Sequence, residues 1–231
     1  MPQSDSSPVA EQCYARLRDA ILQGAYSPGE RLTSVRLASD LGVSRTPIRA
    51  ALQRLKADGL VDSDDNRAAW VRPLTVDEVE QAYEIAGALE GMLVKRLAAQ
   101  ISDADLRALD EAITQMESAA TSGDQHAWVK GDETFHHLLS AQAGNPLLNS
   151  MLQRVETVIN RVRFLSLNIR PEGAALSAQE HRRVYEALAA HDGQRARIAH
   201  ENHLDRVRDE NVAFLKASFG SFPTLPTPSR P

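Results

Sequence analysis

The sequence of 231 residues contains one cysteine and no long apolar run. A single cysteine, Cys13, excludes an internal disulfide and is typical of proteins from a reducing compartment. No stretch approaches the ~20 apolar residues that a bilayer-spanning helix needs. The polar residues 1–9 also lack the apolar core of a signal peptide. These absences predict a cytoplasmic protein without a membrane partner.

The sequence has no overall excess of positive charge, since its net charge is −5. The charges are unevenly distributed, however. Residues 1–75 carry 10 Lys and Arg against 9 Asp and Glu, whereas residues 76–231 carry 16 against 22. Within 31–56 there are six basic residues and one acid, Asp40. A basic island of this kind can hold phosphate groups while the rest of the chain stays acidic.

The pattern of apolar residues changes along the chain. Residues 10–73 combine three helical segments with two short strand-like segments at 60–62 and 69–72. Residues 75–219 have helical periodicity throughout, with capping signals at the segment starts. Residues 1–9 and 220–231 are rich in small polar residues and proline, and we expect them to be disordered. The sequence therefore predicts a mostly α protein with two domains.

The segment from Leu32 to Leu60 has the parts of a helix-turn-helix. A short helix ends at Gly42, and a second helix begins after Ser44. Arg45 and Arg49 are four residues apart and therefore share a face of that second helix, where they could contact guanine edges or phosphates. Ser44 and Thr46 could donate hydrogen bonds to phosphates at the helix N-terminus. The same arginines would suit a solvated helix face, but the turn, the basic island and the flanking strands favour DNA binding.

All seven histidines follow residue 125. Asp132 and His136 are one helical turn apart, while His181 and His203 lie on the last two predicted helices. Three imidazoles and a carboxylate that converge inside a helical domain would bind Zn²⁺ or another divalent transition metal. Spacing alone does not show convergence, and histidines on helices are more often surface or capping residues.

Four motifs in the N-terminal part resemble the DNA-binding domain of the GntR family over about residues 10–72. They are YARLR (14–18), GAYSPGERL (24–32), LGVSRTPIRAAL (41–52) and DGLV (58–61). The resemblance implies a winged helix-turn-helix that binds a near-palindromic double-stranded operator as a homodimer. It implies DNA contacts by Arg36, Ser44, Arg45, Thr46, Arg49 and, in the wing, Arg67. The wing departs from the family pattern, because Ala68 replaces a glycine and three aspartates surround the turn.

The helical part resembles the FCD ligand-binding domain of the FadR subfamily. The motifs are DETFH (132–136), AGN (143–145), Glu180-His181 and Ala196 leading to His203-Leu204. The resemblance implies an antiparallel helical bundle that binds a metal, with zinc expected first and nickel or manganese as alternatives. It assigns Asp132, His136, His181 and His203 as ligands, and it implies a small organic acid as effector. The remaining histidines, namely His126, His137, His191 and His200, are interpreted as non-ligands.

A second departure concerns the effector site. The family often has an arginine after the Tyr-Glu-Ile of the first FCD helix, but here Ala86 and Gly87 follow Ile85. We therefore expect Arg161 or Arg163 to supply positive charge to the effector, unless they are surface residues.

The leading hypothesis is a transcription regulator, most often a repressor in this family, whose operator affinity changes when an effector binds the helical domain. One alternative is a hydrolytic enzyme that uses the same four residues to bind a metal and activate water. Another is a constitutive architectural DNA-binding protein whose affinity no metabolite changes.

Overall fold

The N-terminal part consists of three helices and a small sheet. The computed structural model describes residues 7–64, 68–141, 145–169 and 171–219. The elements are α1 (Pro8–Leu22), β1 (Arg31–Leu32), α2 (Ser34–Leu41), α3 (Arg45–Ala57), β2 (Val61–Ser63) and β3 (Ala69–Val71). The strands are antiparallel in the order β1-β3-β2. The predicted strands correspond to β2 and β3, whereas β1 was missed.

The turn between α2 and α3 sets the start of the helix that carries the arginines. Gly42 ends α2 with a φ of 67°, a left-handed conformation that favours glycine, and this confirms the predicted C-cap. Ser44 occupies the N-cap of α3 with an extended backbone, but its hydroxyl accepts no capping hydrogen bond. Leu37, Ile48 and Leu55 are fully buried and hold the two helices together. The Ser44 hydroxyl is therefore not used by the helix itself.

The wing turn is only partly described. Asp64 accepts a hydrogen bond from the Ala68 amide at 3.0 Å. Asp65, Asn66 and Arg67 lie outside the described residues. The DNA contact expected from Arg67 therefore remains a prediction.

The rest of the described chain is helical. It contains α4 (Val76–Leu97), α5 (Asp103–Ser122), α6 (Gln125–Ala141), α7 (Pro146–Ile169), α8 (Gly173–Ala189) and α9 (Gly193–Phe219). Capping boxes at Thr75–Glu78 and Ser102–Asp105 begin α4 and α5, as the sequence predicts. Helix α8 begins at Gly173, directly before the helix-favouring Ala174 and Ala175.

The described helices bury two large sets of apolar side chains and a smaller set between α4 and α7. Helices α5, α6 and α8 enclose one core around Ile113, Met116 and Phe135. Helices α4, α7 and α9 enclose the other, which includes Val79 and Val162. Among the described residues, no helix is both long and apolar enough to cross a membrane. The two cores leave α6, α8 and α9 facing one another where the predicted metal ligands lie.

The N-terminal part packs against α6 and α7. Gln23 lies 3.3 Å from His126 Nδ1, and Arg18 faces Glu133 on α6. Arg161 on α7 is buried and donates a hydrogen bond to the backbone carbonyl of Arg72. These contacts connect the strand-containing part directly to the helices that carry the site.

Candidate functional site

Three buried imidazoles converge from three different helices. His136 on α6, His181 on α8 and His203 on α9 each offer a ring nitrogen, and these atoms all lie within 4.8 Å of one another. The Nε2 atoms of His136 and His181 are 3.4 Å apart. Asp132 lies one turn before His136, and its Oδ1 is 3.4 Å from His181 Nε2 and 3.9 Å from His136 Nε2. The three histidines predicted as ligands therefore converge, and the predicted Asp132 carboxylate adjoins two of them, His136 and His181.

The other ring nitrogen of each of these three histidines, Nδ1, already has a hydrogen-bond partner. Each Nδ1 atom lies within hydrogen-bonding distance of a carboxylate oxygen or a backbone carbonyl oxygen. The pairs are His136 with Glu90 at 2.8 Å, His181 with the Ser177 carbonyl at 2.6 Å, and His203 with Glu180 at 2.6 Å. Such an acceptor fixes the proton of a neutral imidazole on Nδ1 and leaves the Nε2 lone pair free, the arrangement that supporting acceptors give to metal-bound histidines.

The surroundings favour neutral imidazoles at two of the three positions. Burial, together with His203, lowers the pKa of His181 well below its usual value. Burial, together with His200, likewise lowers the pKa of His203. Burial also opposes charge on His136, but the carboxylates of Glu90 and Asp132 outweigh it and raise the His136 pKa. A cation at the centre would find two neutral donors ready to ligate.

Asp132 is the acidic member of the group and is 1% exposed. Its Oδ2 forms an ion pair with Arg163. Oδ1 accepts no hydrogen bond from the described residues, which is costly for a buried carboxylate oxygen. A cation between Asp132 and the three Nε2 atoms would satisfy Oδ1. Three nitrogens and one oxygen are donors that zinc and similar divalent metals accept, so these residues fit such an ion.

Glu90 was not predicted from the sequence. It is 5% exposed on α4, and its Oε2 lies 2.8 Å from both His136 Nδ1 and His200 Nε2. Burial would raise the Glu90 pKa, but His136 and His200 lower it well below its usual range. One feature of the sequence could have revealed it, because Glu90 is an acidic residue on the apolar face of α4, between Ala86 and Leu97. A buried carboxylate at such a position indicates cationic or hydrogen-bonding partners.

The other histidines have separate positions. His200 uses Nε2 to bind Glu90, which also places it in a second group with Glu90 and His136 within 4.8 Å. His126 is exposed beside Gln23, and His137 is exposed on α6. His191 Nδ1 lies 2.9 Å from the Ala98 carbonyl.

Comparison with known proteins identifies both parts of the chain. The sequence model of the family "Bacterial regulatory proteins, gntR family" matches residues 9–71, and the model of the FCD domain matches residues 81–206. An uncharacterized HTH-type transcriptional regulator from Bacillus subtilis, YdhC, is 30% identical over 201 residues, which cover 85% of this chain and 89% of YdhC. The chain belongs to the GntR family and contains an FCD domain. We call residues 9–71 the GntR segment and residues 81–206 the FCD domain.

Further relatives agree with this assignment. The HTH-type transcriptional repressor RspR of Escherichia coli is 25% identical over 205 residues, covering 88% of this chain and 89% of RspR. The fold is also that of E. coli McbR/YncC, with a TM-score of 0.77 at 23% identity, covering 92% of this chain and 99% of that one. This GntR-family protein is a transcriptional regulator and not an enzyme, so the hydrolytic alternative has no support.

The predicted DNA-contacting residues of the GntR segment lie at the start of α3 and on α2. Ser44, Arg45, Thr46 and Arg49 are all exposed. Within the described chain, Arg45 and Arg49 form no ion pair. Arg36 is exposed as well, but it pairs with Glu30 at 3.1 Å and with Asp40 at 3.7 Å. Arg45 and Arg49 therefore carry positive charges that no acidic side chain in the described part neutralises. Arg36 would have to break its ion pairs with acidic side chains in order to bind a phosphate.

A cavity of about 470 Å³ opens beside His136 in the FCD domain. Its wall contains Arg18, Glu90, Lys130, Glu133, His137, Glu156, Asn160 and Arg163, together with apolar and hydroxyl groups. A second space of about 40 Å³, large enough for only one or two water molecules, adjoins Asp132 and His203. Of these two spaces, the larger has room for an effector.

The two arginines expected to bind the effector are placed differently. Arg163 is buried, lines the cavity and pairs with Asp132. Arg161 is also buried, but it bonds to the Arg72 carbonyl and does not contribute to the walls of either cavity. Burial lowers the pKa of Arg161 to about 10. Arg161 is thus positioned to join the GntR segment to α7, and neither arginine is a surface residue.

Proposed function

We propose that this regulator binds operator DNA as a homodimer and that a small organic acid, held at a metal in the FCD domain, changes its operator affinity. The observation that carries this proposal is the arrangement of His136, His181 and His203. Their Nδ1 atoms have hydrogen-bond partners, their other ring nitrogens converge near Asp132, and one of the three, His136, lines a cavity large enough for an effector.

The proposed metal is zinc, with nickel or manganese as alternatives. Asp132, His136, His181 and His203 would hold it, and Glu90, Ser177 and Glu180 would fix the three rings. Bound there, the metal would offer a positive, exchangeable coordination position for a carboxylate. Arg163 would keep Asp132 oriented and add positive charge to the cavity wall, because it both pairs with Asp132 and lines the cavity.

The proposed DNA-reading surface is the N-terminal end of α3. Arg45 and Arg49 would contact base edges or phosphates in the major groove, since both are exposed and unpaired within the described residues. Ser44 and Thr46 would donate to phosphates, and the unused Ser44 hydroxyl is available for this role. Arg36 and the wing residue Arg67 complete the proposed contacts.

The proposed dimer surface is the outer face of α4 and α7. These helices pack together through Leu93, Leu148 and Leu152. Beside this contact, large apolar side chains are exposed on both helices, namely Ile85 (46%), Met92 (52%), Leu147 (68%) and Met151 (52%). Apolar side chains exposed on adjacent helices favour a protein interface over solvent. We propose that a second copy covers this face, and that the dimer represses, as the name of the relative RspR says of that protein.

The first test is the metal content of the purified chain. We expect about one transition metal per chain, lost in an Asp132→Ala/His136→Ala double variant and retained in His126→Ala, which alters an exposed histidine. Elemental analysis after reconstitution with zinc measures this directly. A wild-type protein that retains no metal would overturn the four-ligand site.

The second test is operator binding. Selection from a random duplex library should yield an inverted repeat, and Arg45→Gln should weaken binding to it by about tenfold or more. The affinity of the zinc-loaded protein for that repeat is then measured with mono-, di- and tricarboxylates. At least one class should change it about tenfold. An affinity that no carboxylate changes would instead support a constitutive DNA-binding protein.

A further inference from the structure

The GntR segment contributes a side chain to the cavity of the FCD domain. Arg18 lies on α1, yet it lines the same cavity as His136. The surrounding contacts keep α1 there. Gln23 Nε2 lies 3.3 Å from His126 Nδ1, and Gly24 lies close to the Leu165 side chain. An effector in this cavity would therefore be enclosed by both parts of the chain.

A continuous series of polar contacts connects Arg18 with the metal centre. Arg18 Nη2 is 3.8 Å from Glu133 Oε1, which accepts a hydrogen bond from Asn160 Nδ2 at 3.1 Å. Asn160 Oδ1 in turn accepts a hydrogen bond from Arg163 Nη1 at 2.9 Å. Arg163 forms the ion pair with Asp132. This series links the Arg18 guanidinium to the Asp132 carboxylate through Glu133, Asn160 and Arg163.

The contact between Arg18 and Glu133 is weak. At 3.8 Å it is longer than the ~2.7–2.9 Å of a charge-assisted hydrogen bond. Both side chains are 34% exposed, and ion pairs of this kind contribute little to stability. Glu133 in addition already accepts a hydrogen bond from Asn160. An anion in the cavity that accepts two hydrogen bonds from the guanidinium would be a better partner for Arg18 than Glu133.

Few cationic side chains other than Arg18 line the described wall of the cavity and could bind a second anionic group of the effector. Helix α4 contributes Glu90 to the cavity wall, and Arg163 is already paired with Asp132. The remaining Lys and Arg on the described wall are Arg18 on α1 and the exposed Lys130 on α6. A carboxylate placed away from the metal centre would therefore meet Arg18 or Lys130, and Arg18 is the less exposed of the two.

We infer that Arg18 is an effector-binding residue, and that the effector is a dicarboxylate with one carboxylate at the metal centre and the other on Arg18. This inference rests on the proposed metal-held effector. When the effector binds, Arg18 exchanges Glu133 for the second carboxylate. Effector binding in the FCD domain thereby changes the contacts of α1, and the position of the GntR segment depends on whether the effector is bound.

The test compares succinate with acetate on the zinc-loaded full chain, using calorimetry. We expect succinate to bind at least tenfold more tightly than acetate, because acetate lacks the second carboxylate. Arg18→Gln should remove most of that preference, whereas Arg16→Gln, an exposed arginine on the same helix, should retain it. Glu133→Gln removes the competing charge and keeps an acceptor for Asn160, so it should tighten succinate binding severalfold.

Hydrogen exchange separates this inference from the proposed function. In the wild type, succinate should slow exchange both in α6, which carries two proposed ligands, and in α1. In Arg18→Gln the α6 effect should persist while the α1 effect disappears. Equal succinate affinity in both proteins, with no change in α1, would overturn the role of Arg18 and leave the metal-held effector standing. If neither acid binds and α6 is unchanged, both proposals fail.

Discussion

At the scale of single residues, Glu90 decides how well the metal centre is preorganised. Its Oε2 accepts from His136 Nδ1 and from His200 Nε2, both at 2.8 Å. A glutamine could accept only through Oε1, and its amide group would turn an N–H toward one of the two donors. We expect Glu90→Gln to weaken zinc binding by about 10–100-fold, as losses of such supporting residues usually do. Competition with a chelator of known affinity measures the change.

The control for this prediction is Glu84→Gln, which neutralises an exposed acid on the same helix. It should leave zinc affinity unchanged. The visible spectrum of the cobalt-substituted protein distinguishes an altered ring orientation from general unfolding, because the spectrum reports ligand geometry. Wild-type affinity together with a wild-type spectrum in Glu90→Gln would show that Glu90 does not position the site.

The sequence predicted some site residues and missed others for physical reasons. Asp132 and His136 share a helix face, which helical periodicity reveals directly. Glu90 was missed because its partners lie 46 and 110 residues away, so only the packing of α4 against α6 and α9 brings them together. The two arginines of α7 could have been separated in advance. Arg161 and Arg163 are two residues apart and point about 200° away from each other, so only one could face the centre.

At the scale of elements, the close approach of α9 to the end of α4 depends on a glycine. A Cβ added at Gly193 would lie 2.5 Å from the backbone carbonyl oxygen of Lys95. The backbone atom cannot move aside as a flexible side chain would. We expect Gly193→Ala to lower the free energy of unfolding by about 1–3 kcal/mol, measured by urea denaturation of the metal-free protein.

Gly173 provides a matched control, since Gly173 and Gly193 each form the first residue of a helix. A Cβ at Gly173 would meet only Glu210 Oε2 at 3.8 Å, an ordinary contact. Gly173→Ala should therefore change stability by no more than about 0.5 kcal/mol. Equal effects of the two substitutions would mean that the packing of α9 on Lys95 does not limit stability.

Elements with local signals were predicted well. Helices α4 and α5 begin one residue after Thr75 and Ser102, where the sequence places capping boxes. Strand β1 was missed because it has two residues, too few for a periodic pattern, and exists only through pairing with β3. Its register, Arg31 opposite Trp70, is a contact between distant parts of the chain that local sequence does not specify.

At the scale of the whole molecule, the outer face of α4 and α7 tests the proposed dimer. Met92 and Met151 lie on different helices of this face and are each 52% exposed. A Met92→Glu/Met151→Glu double variant would place four carboxylates in a two-fold interface, where burial without partners is unfavourable. We expect the variant to be monomeric at concentrations at which the wild type is a dimer, as measured by sedimentation equilibrium.

Loss of the dimer should also be visible in DNA binding. A dimer engages both half-sites of an inverted repeat, and binding of the second half-site benefits from a high effective concentration. The variant should therefore lose at least about 100-fold in affinity for the full repeat while keeping wild-type affinity per half-site. Ile198→Glu is the control, because Ile198 is 48% exposed on α9, outside this face. If the double variant sediments as the wild type does, the second copy binds elsewhere, and the apolar face of α4 and α7 must have another partner.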